Sequence, residues 1–198
     1  MQSLFRAVLG LDFERLAPAL RRHYDVAPNE TVLMQGEMDC WNRFEWVRVL
    51  IPFAPKNGAD VPVMVRNRTL SQDNQPCFEM HREFGYPSGT QVSYTLTRAD
   101  PRSGLACVLD TFNQPPNIGM TQKLSVSEDG KTLTQTAAGV QYAIFGSKLV
   151  ALPGLFNIRA VATERAIDDE NVFVEVIISH ALFGRLFGYC GTLSIKRV

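Results

Sequence analysis

The sequence has no excess charge of either sign. Its 20 Lys and Arg residues balance 20 Asp and Glu, so no global field draws the chain to nucleic acid or to an anionic membrane. No run approaches the roughly 18 apolar residues of a membrane-spanning helix. The apolar stretch between Met1 and Leu11 is too short for a signal-peptide core with its cleavage site. A soluble, cytoplasmic protein without an integral membrane segment is expected.

The chemistry-bearing motifs are missing as well. The four cysteines, Cys40, Cys77, Cys107 and Cys190, form no C-x-x-C pair, and each lies in an apolar or strand-like run. They read as buried reduced thiols, with a reactive thiol or a disulfide as the alternative. His23, His81 and His180 are far apart and none belongs to an H-x-H or H-x-x-x-H pair, so neither a metal nor a cofactor is expected. His23 reads as a surface residue near a helix end. The chain has no G-x-S-x-G elbow, no Walker loop and no G-x-G-x-x-G stretch, which leaves acyl transfer by a serine, phosphate cradling and dinucleotide binding without support. Ser88 and Ser147, each beside a glycine, read as turn serines. No Pro- or Gly-rich linker interrupts the 198 residues. One domain is expected over 1–198, with a helical segment at 1–28 packed on it.

What is present is a β rhythm behind a helical start. Leu9, Phe13, Leu16, Leu20 and Tyr24 recur at helical spacing, with Gly10 and Pro18 breaking the segment and Asp12 placed to cap a new turn. From Glu30 onward, short β-branched and aromatic runs alternate with Gly, Pro, Asn and Asp about every 8–12 residues, the pattern of an antiparallel meander. The spacing predicts strands over 31–41, 62–70, 76–84, 91–98, 105–113, 118–127, 131–136, 138–145, 157–167, 171–179 and 189–197. Residues 42–52 read as a helical insertion in which Phe44, Val47, Leu50 and Ile51 share a face. Turns are predicted at 100–104 and, most strongly, at Asp129-Gly130. Residues 146–156 are expected as a loop or helical turn packed on the core. About ten strands in one open sheet would leave long exposed edges, so a curved antiparallel sheet or barrel is expected, a mainly β (α+β) fold.

The distinctive feature is charge inside strand-like segments: Arg66, Arg68, Glu79, His81, Arg82, Arg159, Glu164 and Arg165. These are either a solvated outer face paired across strands, or groups that point into a barrel mouth and orient a carboxylate or phosphate head group. Parity separates them, because Arg66 groups with Arg68, Arg82 with Met80, and Arg159 with Arg165 against Glu164. The candidate ligand-binding set is Arg66, Arg68, His81, Arg82, Arg159, Glu164, Arg165 and Tyr189.

Several segments carry a family resemblance: Val61-Pro62-Val63-Met64-Val65, Arg82-Glu83-Phe84-Gly85, Val150-Ala151-Leu152-Pro153, and Leu182-Phe183-Gly184-Arg185-Leu186 leading to Tyr189 and Gly191. Leu4-Phe5-Arg6 and Leu20-Arg21-Arg22-His23 extend it to the N-terminus. The chain resembles an uncharacterised domain-of-unknown-function family, number forty-one sixty-six, whose members occur alone or fused behind saccharopine-dehydrogenase-like Rossmann reductases. The resemblance implies an accessory or substrate-holding role beside a reductase and supplies no catalytic residues. Three readings follow: a binding module for a small lipophilic or amphipathic molecule, an enzyme using His81, Glu79 or Glu164 beside an Arg, or a protein-interaction domain built on 146–156 and 181–187.

Overall fold

The computed structural model describes residues 2–28, 30–72, 74–100, 106–146 and 148–197. Three short helices come first, α1 (Leu4–Leu9), α2 (Leu11–Arg15) and α3 (Pro18–Tyr24). Gly10, at φ 57°, separates α1 from α2 in a conformation that costs glycine little. Pro18 opens α3, where a missing N–H is tolerated. Gly10 takes the cap position expected of Asp12, which lies inside the first turn of α2 and accepts a hydrogen bond from Arg15 at 2.8 Å.

Eleven strands follow: β1 (Thr31–Asn42), β2 (Gly58–Gln72), β3 (Gln75–Tyr86), β4 (Gly89–Ala99), β5 (Cys107–Phe112), β6 (Ile118–Val126), β7 (Thr132–Phe145), β8 (Lys148–Ala151), β9 (Ile158–Ala166), β10 (Asn171–His180) and β11 (Gly184–Arg197). Helix α4 (Glu45–Leu50) sits between β1 and β2, as expected, and a 3-10 turn spans Gly154–Phe156. The sheet runs β6-β5-β4-β3-β2-β1-β11-β10-β9-β7, all antiparallel, and the pairing of β6 with β7 joins its ends. Ten strands therefore close into an antiparallel barrel, which removes the edges an open sheet would expose. The eleventh, β8, pairs with the far end of β7 beyond the segment that β9 occupies. Where β1 crosses β11, a Cβ on Gly36 or Gly191 would stand 2.1 Å from the carbonyl oxygen of Thr192 or Glu37, so only glycine admits this backbone approach.

The Asp129-Gly130 turn forms where the sequence predicts it. Asp129 Oδ1 accepts from Ser127 Oγ at 2.6 Å and from the Lys131 N–H at 3.0 Å, and these bonds, the serine's first, hold its carboxyl below the ordinary range. The turn predicted at 100–104 lies from Pro101 onward outside the described residues, as does Ser147.

The helices plug one end of the barrel. Phe5, Phe13, Leu16, Leu20 and Tyr24 are all at most 2% exposed, and the rings of Phe5 and Tyr24 pack on Phe78 of β3 at 5.1 and 5.6 Å. Burial of five such side chains, at about 1.5–3 kcal/mol each, is comparable to the whole net stability of a domain. The helical segment is thus part of the barrel's core. His23 corrects the sequence reading. It is 1% exposed, because it follows Leu20 by three residues and shares the face that α3 turns to the barrel.

At the opposite end, the mouth, Val47 of α4 is buried and Phe53 stacks on Phe112 at 4.8 Å, with Phe187 edge-on at 6.2 Å. Two further expectations are corrected here. Leu50 is 67% exposed, since six residues of helix bring only Val47 fully onto the barrel. Residues 146–156 do not pack on the core: they form β8 and the 3-10 turn, and leave Leu149, Val150, Leu155 and Phe156 exposed.

Candidate functional site

A barrel of ten strands encloses more space than its inward side chains fill. A cavity of about 90 Å³ lies in the lumen between the helical plug and the aromatic group at the mouth. At roughly 10–15 Å³ for each water, it has room for about half a dozen.

Its wall is divided. Met34 and Met38 of β1, Val65 of β2, Val174, Val176 and Ile178 of β10 and Leu193 of β11 make one side apolar. The strands β3 to β6 present Arg82, Ser93, Thr95, Thr97, Asp110 and Gln122 on the other. On β4 the usual arrangement is inverted. The hydroxyl row Ser93, Thr95 and Thr97 faces inward and is buried, while Val92, Tyr94 and Leu96 face outward.

The polar side is a hydrogen-bonded network. Thr97 Oγ1 donates to Asp110 Oδ1 at 2.6 Å, and Gln122 Nε2 donates to Asp110 Oδ2. Burial pushes the Asp110 carboxyl above the ordinary carboxylate range, against the pull of these two donors and of the Arg82 charge. Arg82 donates through Nη1 to Thr95 Oγ1 at 3.0 Å. Gln122 is 6% exposed, and its Oε1 is buried without a hydrogen-bond partner among the described residues.

A second buried network lies where the plug meets the lumen. Asn67 Nδ2 is 2.8 Å from His23 Nδ1, and His23 Nε2 is 3.1 Å from Glu164 Oε2. With Nδ1 accepting from Asn67, the ring proton falls on Nε2, which faces the carboxylate at contact distance without the alignment of a hydrogen bond. Gln135 Nε2 donates to the Tyr24 hydroxyl at 3.0 Å. Burial alone would raise the Glu164 carboxyl, yet His23, Tyr24 and the Arg82 charge outweigh it and hold the group below its ordinary value. Tyr24 is pushed the other way, first by burial and then by the Glu164 charge.

The sequence-derived candidates divide between the two faces. Arg82, Glu164 and Tyr189 line the lumen. Arg66 and Arg68 lie outside and pair across the sheet with Glu83, at 2.8 Å, and with Glu79. His81 is also outside, 3.5 Å from Glu83. Arg159 is exposed near the start of β9, and Arg165 lies over the outer ring of Phe173 at 5.6 Å. Of the groups named for acid–base work, Glu164 alone reaches the lumen, where it is engaged by His23. Glu79 accepts from the Tyr94 hydroxyl at 2.9 Å on the outer face.

The residues missed were His23, Ser93, Thr95, Thr97, Asp110 and Gln122. The period-two hydroxyl row on β4 was visible, but alternation does not say which row turns inward. Among the described residues no helix is long and apolar enough to cross a membrane, and Cys40, Cys77, Cys107 and Cys190 are free thiols. The profile of the family described as "Domain of unknown function (DUF4166)" matches residues 16–193, nearly the whole barrel with α3, and the chain belongs to that family.

Proposed function

We propose that the barrel is a binding module that holds a small amphipathic molecule, with its apolar part against the methionine and valine wall and its polar end on the β3–β6 side. The observation that carries this reading is the pairing, in one cavity, of the unpartnered Gln122 Oε1 with the Arg82 guanidinium. A buried acceptor without a donor costs about 1–3 kcal/mol. Of the five N–H donors of Arg82, one is engaged among the described residues, by Thr95. A guest whose polar end offers an acceptor to Arg82 and a donor to Gln122 completes both. Transfer of such a guest to or from a separate Rossmann-type reductase is the role that the family resemblance implies.

Native mass spectrometry of the natively purified chain, titrated with octanoate, octan-1-ol and octylamine, tests the binding. One-to-one adducts are expected of octanoate, an acceptor for Arg82, and of octan-1-ol, whose hydroxyl also brings a donor to Gln122 Oε1, both tighter than that of octylamine. Arg82→Leu weakens the octanoate adduct by roughly ten-fold or more, the loss of a charge-assisted hydrogen bond. Ala162→Phe, which fills the lumen, abolishes it. Octanoate retained equally by a folded Ala162→Phe variant overturns the lumen as the site, and the absence of any adduct overturns the reading.

A further inference from the structure

The neutral net charge conceals a polarity along the barrel axis. The connections at the plugged end carry Glu128 and Asp129 against Lys131 between β6 and β7, and Asp168, Asp169 and Glu170 between β9 and β10, while the segment that covers this end sets Asp12, Glu14, Asp25 and Glu30 against Arg6, Arg15, Arg21 and Arg22, which leaves acids in excess. The connections at the mouth carry Arg43, Arg48, Lys56 and Lys148 against Glu45, which pairs with Arg48 at 3.5 Å, and Arg159 and Arg185 against Asp60 stand in the first residues of the strands beside them. One end is acidic and the other basic.

The basic end is also where apolar side chains are left in water. Nine of the fourteen exposed large apolar side chains among the described residues lie there, on three connections. The link from β1 to β2 exposes Trp46, Val49 and Leu50. The segment between β7 and β9 exposes Leu155 and Phe156, the latter at 64%, beside Leu149 and Val150. The β10–β11 turn exposes Leu182, at 69%, and Phe183. In the barrel order β1, β11, β10, β9 and β7 are consecutive neighbours, so these connections occupy one continuous half of the rim. They also touch: Trp46 meets the edge of Phe183 at 5.6 Å, Phe183 packs on His180 at 5.1 Å, and His180 Nε2 is bonded to the Leu155 carbonyl at 2.7 Å.

A continuous apolar patch of this kind marks a docking surface. Its chemistry narrows the occupant. Aromatic and leucine side chains on these connections, ringed by arginine and lysine in excess over Glu45 and Asp60, fit the interface of an anionic bilayer, where rings settle at the head-group level and basic residues meet lipid phosphate. We infer that the mouth of the barrel docks on the surface of an anionic lipid bilayer through the half-rim formed by α4, the β7–β9 connection and the β10–β11 turn. The acidic plugged end faces away from the same surface, which orients the barrel with its mouth toward the lipid. This inference rests on the outer rim and does not require that the lumen hold a guest.

Co-sedimentation of the full chain with vesicles of phosphatidylcholine containing a quarter phosphatidylglycerol, compared with phosphatidylcholine alone, tests it. Binding to the anionic vesicles is expected to be at least about ten-fold tighter, to weaken with added salt, and to shift tryptophan emission to the blue. Two sets of surface variants should remain folded by circular dichroism. Arg48→Glu with Lys148→Glu removes the preference for anionic lipid, and Leu155→Ser, Phe156→Ser and Leu182→Ser together abolish binding. The triple variant keeps the octanoate adduct if the lumen reading holds, so failure of one proposal is separable from failure of the other. Equal binding to both vesicle types, binding unchanged in the triple variant, or no sedimentation overturns the inference. So does a wild-type dimer that becomes monomeric in the triple variant, since the patch would then belong to a second copy of the chain.

Discussion

His23 Nε2 of α3 lies 3.1 Å from Glu164 Oε2 of β9, a buried contact that ties the helical plug to the inside of the barrel. Replacing Glu164 by Leu leaves the buried His23 Nε2–H facing an apolar side chain and is expected to cost about 1–3 kcal/mol. Glu164→Gln, which keeps an acceptor, costs less. The Glu164 carboxyl is held below its ordinary value, so its contribution is fully present above the unfolded pKa of about 4.3 and is lost as pH falls through the folded value. Urea unfolding from neutral to acidic pH should show wild type losing stability on that limb and Glu164→Gln losing less. Parallel curves would contradict the assignment.

Asp110 has the opposite linkage. Burial raises its carboxyl, so the stability it contributes is present below the unfolded pKa of about 3.9 and is lost as pH rises through the folded value. Asp110→Asn keeps an acceptor for Thr97, and its new Nδ2, standing where Oδ2 accepted from Gln122 Nε2, is met by Gln122 Oε1 once that amide turns over. Its melting temperature should exceed that of wild type at pH values above the folded pKa, and the advantage should shrink on acidification. A lower melting temperature at neutral pH would refute this.

Gly130 joins the β6–β7 turn to the plug. Its φ is 71°, its carbonyl accepts from the Ala17 N–H at 2.9 Å, and an added Cβ would fall 1.8 Å from the Arg15 carbonyl oxygen. Gly130→Ala is expected to cost about 2–4 kcal/mol, from left-handed strain plus the collision. Gly146, at φ 62° and with no atom of the described residues within 4 Å of where a Cβ would stand, isolates the first cost. Gly146→Ala should lose only about 1–2 kcal/mol. Equal losses in denaturant melts would exclude the collision.

On the outer face, partial burial and then the Glu79 charge push the Tyr94 phenol up to about 12. Glu79→Gln should lower it toward the ordinary value of about 10, stopping short because burial remains. A titration of ring-labelled tyrosine by NMR reads the change, and an unmoved Tyr94 would show that Glu79 does not act on it.

Much of this architecture was legible before folding was considered. The Leu9 to Tyr24 spacing marks the buried helical face, Asp129-Gly130 marks the turn, and Val172, Val174, Val176 and Ile178 mark one side of a strand, because each is a local pattern matched to a local geometry. Parity likewise grouped Arg66 with Arg68 and Arg82 with Met80 without saying where either pair would point. The apolar segments at 146–156 and 181–187 were visible too, though not that Leu186 and Phe187 turn into the core, nor that chain closure brings the exposed residues of the two segments together at one rim.

The amino-acid order alone therefore determined the antiparallel strand rhythm, the helical start and the two-row alternation of each strand. Tertiary structure decided which row became the interior. That choice depends on the closure of β6 onto β7 and on the plug over the barrel end, interactions between residues far apart in the chain. It turned Ser93, Thr95 and Thr97 inward, buried His23 against Glu164, and sorted a balanced set of charges into an acidic end and a basic one.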